Sequence, residues 1–154
     1  MKRDSKLSSV LHVLLHLAHS ERPMTSEQMA GMLDTNPVLV RRVLAGLRER
    51  GYISSERGHG GGWTVTCDLA TVTLRDVYDA VGAPTVFAMG NRNEHSACLV
   101  EQVVNASLAD AFQEAEALLV KRLGDVTLAD LSRDFNLRYD NHPHRKPEHE
   151  HTPG

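Results

Sequence analysis

The chain has few aromatic residues and almost no cysteine. Phe, Trp and Tyr make up only 5% of its 154 residues, so Leu, Val and Ala must supply most of any core. Two cysteines, Cys67 and Cys98, cannot build a disulfide framework, and the expected compartment is a reducing cytoplasm. No apolar run reaches the roughly 18 residues that a membrane helix needs. The opening Met1-Lys2-Arg3-Asp4 leads into a patterned segment with three histidines, unlike a signal peptide. No nucleophile elbow, His-Glu-x-x-His motif or Walker loop occurs, so no enzyme is expected. A uniformly basic coat is missing too, because the formal net charge is −3.

What is present suits one globular domain, or one small domain with an appendage. Hydrophobic residues are 41% and charged residues 24% of the chain, both near globular averages. The charge is unevenly placed. Residues 1–66 carry nine Lys/Arg against six Asp/Glu, a net +3, while residues 67–154 carry eight against fourteen, a net −6. Such a split points weakly toward nucleic acid at the basic end.

Local signals order the chain. Leu7, Val10, Leu11, Leu14, Leu17 and Ala18 recur at three- and four-residue steps and predict a helix over 5–19. Thr25 with Gln28 forms a capping box for a short helix whose apolar face is Met29, Met32 and Leu33. Asn36 as cap and Pro37 at the first helical position start a third helix, which runs through Arg50 to Gly51. Two short strands, 52–55 and 63–66, flank the Gly-rich tip Gly58-His59-Gly60-Gly61-Gly62. Thr73 with Asp76 opens a helix over 74–81. A long helix is expected from about Ser96 to Leu123, and Thr127 with Asp130 opens a short closing one. The predicted organisation is a head over 1–82, a loop over 83–95, a helical segment over 96–137, and a disordered His-rich tail over 138–154.

Three helices followed by a two-stranded hairpin make a winged helix-turn-helix, so the fold class is mainly α with a β-wing and one long helix. In the third helix, Val40, Val43, Leu44 and Leu47 share a face that should pack inward, leaving Asn36, Val38, Leu39, Arg41 and Arg42 outward at its N-terminal end. That is the end a recognition helix inserts into the major groove, where Arg can grip guanine. The wing tip adds Arg57, suited to phosphate or a narrow minor groove, beside glycines that let backbone approach another surface. Double-stranded DNA is the expected partner. A winged helix used only for protein contacts is the competing class, and a small thiol enzyme a third.

The stretches Asn36-Pro37-Val38-Leu39-Val40-Arg41-Arg42, Leu47-Arg48, Gly51-Tyr52-Ile53-Ser54-Ser55, Arg57-Gly58 and Gly60-Gly61-Gly62-Trp63 resemble the Rrf-two family of bacterial regulators, which includes the IscR, NsrR and CymR types. Thr73-Leu74-Arg75-Asp76-Val77-Tyr78-Asp79-Ala80-Val81 and Asp125-Val126-Thr127-Leu128-Ala129-Asp130-Leu131 extend the resemblance over about residues 5–135. It implies a homodimeric transcriptional regulator, more readily a repressor, with the long helix as dimer helix and a pseudo-palindromic operator. By the same resemblance Thr25, Ser26 and Glu27 open the helix whose backbone amides meet phosphate. Asn36, Val38, Leu39, Arg41 and Arg42 contact bases and phosphates, and Arg57, His59 and Gly60 sit on the wing. The Pro-Val-Leu-Val-Arg-Arg form is that of a YwnA-like branch, which generally lacks an iron–sulfur cluster.

Cluster-binding relatives carry three cysteines in the loop before the dimer helix, and Cys98 alone matches one of them. A family-type cluster is therefore not expected. Two sensor readings stay open. Cys98, assisted by His95, can act as a redox or electrophile switch at a helix N-terminus, or it is only a small residue at a helix start. His12, His16 and His19 share a stripe of the first helix, and the His12/His16 pair has the i, i+4 spacing of a metal site or of non-standard cluster ligands. The plainer reading is that these histidines are solvated or packed.

Overall fold

A computed structural model of the chain describes residues 6–84, 86 and 97–142. His95, Ser96, most of the expected 83–95 loop and the tail from 143 onward lie outside the described residues. Eight elements follow in order: α1 (Lys6–His19), α2 (Ser26–Met32), α3 (Pro37–Glu49), β1 (Ile53–Glu56), β2 (Gly62–Val65), α4 (Leu74–Ala80), α5 (Leu99–Gly124) and α6 (Leu128–Asp140). Among the described residues the chain is mainly helical with one two-stranded antiparallel sheet, as a winged helix-turn-helix requires.

Helix boundaries follow the side chains that satisfy free backbone groups. The Thr25 hydroxyl accepts from the Gln28 amide at 3.2 Å, and the Thr25 amide donates back to the Gln28 side chain at 2.8 Å. The same reciprocal box opens α4 with Thr73 and Asp76, and α6 with Thr127 and Asp130. Asn36 Oδ1 accepts from the Leu39 amide at 3.0 Å to start α3, with Pro37 in the first turn. Gly51, at φ +74°, ends it by turning the chain left-handed.

The core lies between α1, α2, α3, α4 and the sheet. From α1 it takes Val10, Val13, Leu14 and Leu17, from α3 Val40, Leu44 and Leu47, and from α4 Val77. Val43 is half-buried at the edge. In α2 the expected apolar face is corrected. Met29 is buried, but Met32 points out at 42% exposure, because a seven-residue helix turns only one narrow side to α3. Gly46 is where α3 meets α4. A Cβ there would fall 2.0 Å from the Ala80 carbonyl oxygen, so only glycine admits this approach.

The strands pair from Ile53 opposite Val65 to Glu56 opposite Gly62. The wing is tied at its root as well. Trp63 and Met24 exchange backbone hydrogen bonds of 2.8 and 3.1 Å, so the residue before the α2 cap joins the sheet as an isolated bridge. Gly62 stands in that crossing at φ +148°, and a Cβ would strike the Met24 carbonyl oxygen at 2.7 Å.

The last helix differs from its expected place. α6 runs to Asp140, three residues into the stretch assigned to the tail. Its start belongs to the head. Leu128 is 1% exposed within the common core. The Leu128 and Ala129 amides donate to the carbonyls of Val72 and Leu69, each at 2.9 Å, and the Leu74 amide donates to Val126 at 2.9 Å. Thus the chain leaves the head after α4, passes through α5, and re-enters it at Thr127.

Candidate nucleic-acid interface

The third helix presents two sides. Val40, Leu44 and Leu47 anchor one in the core. The other exposes Val38, Leu39, Arg41, Arg42 and Arg48. Val38 is 59% exposed and Leu39 41%, unusual for large aliphatics in the first turn of a helix that packs well elsewhere. Asn36 is exposed, but its carbonyl oxygen is engaged by the cap, leaving only its amide nitrogen free to face a ligand.

A cleft of about 550 Å³ separates α3 from the wing. Arg41 and Arg48 line it from the helix, Arg57 from the wing, and Thr25, Ser26 and Glu27 from the start of α2. Three guanidinium groups make it attractive to phosphate, while Glu27 and Glu56 on the same lining limit that charge. Arg48 is the lining arginine that sequence reasoning passed over as a site. Its signal was available, because it lies two turns after Arg41 and so on the same side of the helix.

The Ser26 side chain carries a structural hydrogen bond. It is 8% exposed, and its hydroxyl accepts a 3.0 Å hydrogen bond from the buried Trp63 indole. The side chain therefore holds the wing against α2, while the expected phosphate contact is through the backbone at this helix start, which lines the cleft. Thr25 is likewise occupied by its cap. Arg57, His59 and Gly60 are exposed at the wing, where the Gly61 amide closes the tip onto the Gly58 carbonyl at 3.1 Å.

The histidine stripe of α1 divides. His12 and His16 are both exposed with their Nε2 atoms 2.9 Å apart. Partial burial, then the neighbouring His12 and His19, holds the His16 pKa below its ordinary value. His19 turns away toward α6. Its Nε2 lies 3.0 Å from Asn136 Oδ1 and 3.2 Å from Ser132 Oγ, and its ring packs 4.6 Å from that of Phe135. Among the described residues, no three His, Cys, Asp or Glu side chains gather to hold a metal ion.

The two cysteines also part. Cys67 follows β2, packs half-buried against the core, and burial pushes its thiol up. Cys98 is exposed as the N-cap of α5, and the backbone amides of Glu101 and then Val100 pull its thiol below the ordinary range.

α5 has 26 residues and none is buried. Leu99, Val100, Val103, Val104, Leu108 and Leu118 all stand at 40% exposure or more. No helix among the described residues is long and apolar enough to cross a membrane, so these side chains do not form a span.

Comparison with known proteins agrees with this layout. A family model described as Rrf2, iron-dependent transcriptional regulator, matches residues 3–134. YwnA of Bacillus subtilis, described as a candidate HTH-type transcriptional regulator, is 27% identical over 128 residues, covering 83% of this chain and 95% of the relative. The crystal structure of a similarly described regulator from Lactobacillus plantarum superposes with a TM-score of 0.70 at 27% identity, covering 90% of this chain and 98% of that one. CymR of B. subtilis, the global cysteine regulator, shares the fold at a TM-score of 0.55 and 21% identity, covering 86% and 97% of the two chains.

The family description carries iron, and the donors present here do not fit a thiolate-held cluster. Such clusters take several thiolates per site. The sequence from Ala83 to Ala97 contains no cysteine, Cys67 packs half-buried against the core of the head, and Cys98 is the one cysteine at that loop's end.

Proposed function

This chain belongs to the Rrf2 family of transcriptional regulators, and from that premise we propose that it acts as a cytoplasmic homodimeric repressor whose two α3 helices read a pseudo-palindromic duplex. The observation that carries this reading is the exposed N-terminal side of α3 set beside a cleft lined by Arg41, Arg48 and Arg57. The helix end enters the major groove, and the wing follows the phosphate backbone. Thr25, Ser26 and Glu27 at the start of α2 line that cleft, where backbone amides can meet phosphate. Two heads joined through α5 would contact half-sites about one helical turn apart, ~34–36 Å. The apolar side of α5 supports a second copy as its cover, since among the described residues it stands exposed.

The signal we assign to Cys98 is an oxidant or electrophile. Its exposure and lowered thiol pKa favour a thiolate, and its place at the start of α5 couples it to the spacing of the two heads. An effector shifts that spacing only by favouring one arrangement over the other. Protein purified without oxygen is expected to be colourless, and a brown protein with stoichiometric iron would overturn the cluster-free reading.

Duplex binding tests the main claim. Affinity should fall steeply with salt and exceed that for random duplex, as counterion release demands. Arg42→Ala should weaken specific binding by ~1–3 kcal/mol if the guanidinium grips guanine. Salt-independent association with protein and none with duplex would favour a protein-interaction module instead.

A further inference from the structure

Val38 is a large aliphatic side chain held out in solvent on the face that the regulator reading turns toward DNA. It lies three and four residues before Arg41 and Arg42, so the three side chains share one face of α3. It stands at 59% exposure, while α3 packs through its other side on α1, α2, α4 and β1. Asn36 and Pro37 set its place rigidly, because the cap and the fixed proline backbone define the first turn. Leu39, at 41% exposure, lies toward the flank.

The surroundings say what covers this side chain. Arg41, Arg42, Arg48 and Arg57 are all exposed around the same end of the head, which favours a polyanion over an apolar protein surface. Within the major groove the bases offer hydrogen-bonding edges and one apolar feature, the C5-methyl group of thymine. An aliphatic side chain there has no hydrogen bond to give. It can discriminate only by burying a methyl group or by leaving a base-edge donor or acceptor unpaired.

We propose that Val38 is a specificity-determining residue that reads the 5-methyl group of one thymine in each half-site, beside the contacts made by Arg41 and Arg42. The proposal rests on the reading of the protein as a duplex-binding regulator. It adds a base identity which that reading does not contain.

The test begins with the full chain and a random duplex pool, from which bound sequences are selected. Each thymine of a selected duplex is then replaced singly by deoxyuridine, which removes the methyl group and keeps every hydrogen bond. One thymine per half-site should weaken binding about three- to fivefold when replaced, the effect of one buried methyl. Val38→Ala should still bind the selected duplex, and should bind its thymine and uracil forms equally. Val38 is exposed, so this variant keeps the fold, and its thermal unfolding should match that of the unaltered protein. A duplex insensitive to every replacement, or a thymine preference that survives Val38→Ala, overturns the proposal while leaving the regulator reading intact. Failure to select any duplex overturns both.

Discussion

α3 and α5 are both regular helices, but they stand on opposite terms with the rest of the chain. The 13 residues of α3 place Val40, Leu44 and Leu47 in the core and turn arginines outward. Of the 26 residues of α5 none is fully buried, although Val100, Val103, Val104 and Leu108 follow helical spacing along it. The contrast shows that helical pattern fixes which side chains share a face, while burial depends on whether this chain supplies the other surface. For α3 it does. For α5 no other described residue supplies it, and a second copy is the proposed source.

The largest effect should come from the place where the two regions rejoin. Leu128 is buried in the head though it follows α5 in sequence, so Leu128→Ala should cost ~2–5 kcal/mol in denaturant unfolding of the whole head. A loss below about 0.5 kcal/mol would show that α6 does not share the head's core. Next, Val103→Glu combined with Leu108→Glu should turn a dimer into a monomer by sedimentation, with little change in helix content. Binding to a two-half-site duplex should fall at least about tenfold, because the heads would then bind independently. A double variant that remains dimeric would remove α5 from the interface.

Ser26→Ala should cost ~1–3 kcal/mol by leaving the buried Trp63 indole N–H without its acceptor. Duplex affinity should fall only through loosening of the wing. Affinity lost with no loss of stability would instead mean that the Ser26 hydroxyl touches the duplex. The smallest effect separates the cysteines. Cys98, with its thiol pKa lowered, should alkylate faster than Cys67 and stay reactive at lower pH, because its thiolate persists further below the ordinary thiol range. Mass spectrometry of briefly alkylated protein reads this directly. Equal labelling at both positions would argue against Cys98 as the sensor.

Most local boundaries could be read from single residues. Thr25–Gln28, Thr73–Asp76 and Thr127–Asp130 each satisfy backbone groups within four residues, so their chemistry needs no distant partner. Gly51 and the wing glycines are legible for the same reason. The outward side of α3 followed from its 3.6-residue period. Other features needed chain segments far apart in sequence. The backbone at Ser26 reads as a phosphate contact from its place at a helix start, but that its hydroxyl is held by Trp63, 37 residues away, needed the fold. His19 read as one of three equivalent histidines until α6 drew it toward Asn136 and Ser132. Met32 read as apolar face, but no surface was left to cover it.

The same division bears on how the protein works. By itself the sequence determined a head of three helices and a Gly-rich wing, an arginine-bearing helix start, and a loop without the family's three cysteines. Those depend on residue identity, spacing and short-range hydrogen bonds. Only the tertiary structure decided that the chain returns to the head at Leu128, that Ser26 clamps the wing, and that α5 keeps its apolar side chains exposed among the described residues. Each depends on which surfaces meet after the chain has folded back on itself, and burial is a property of the pair of surfaces rather than of either one.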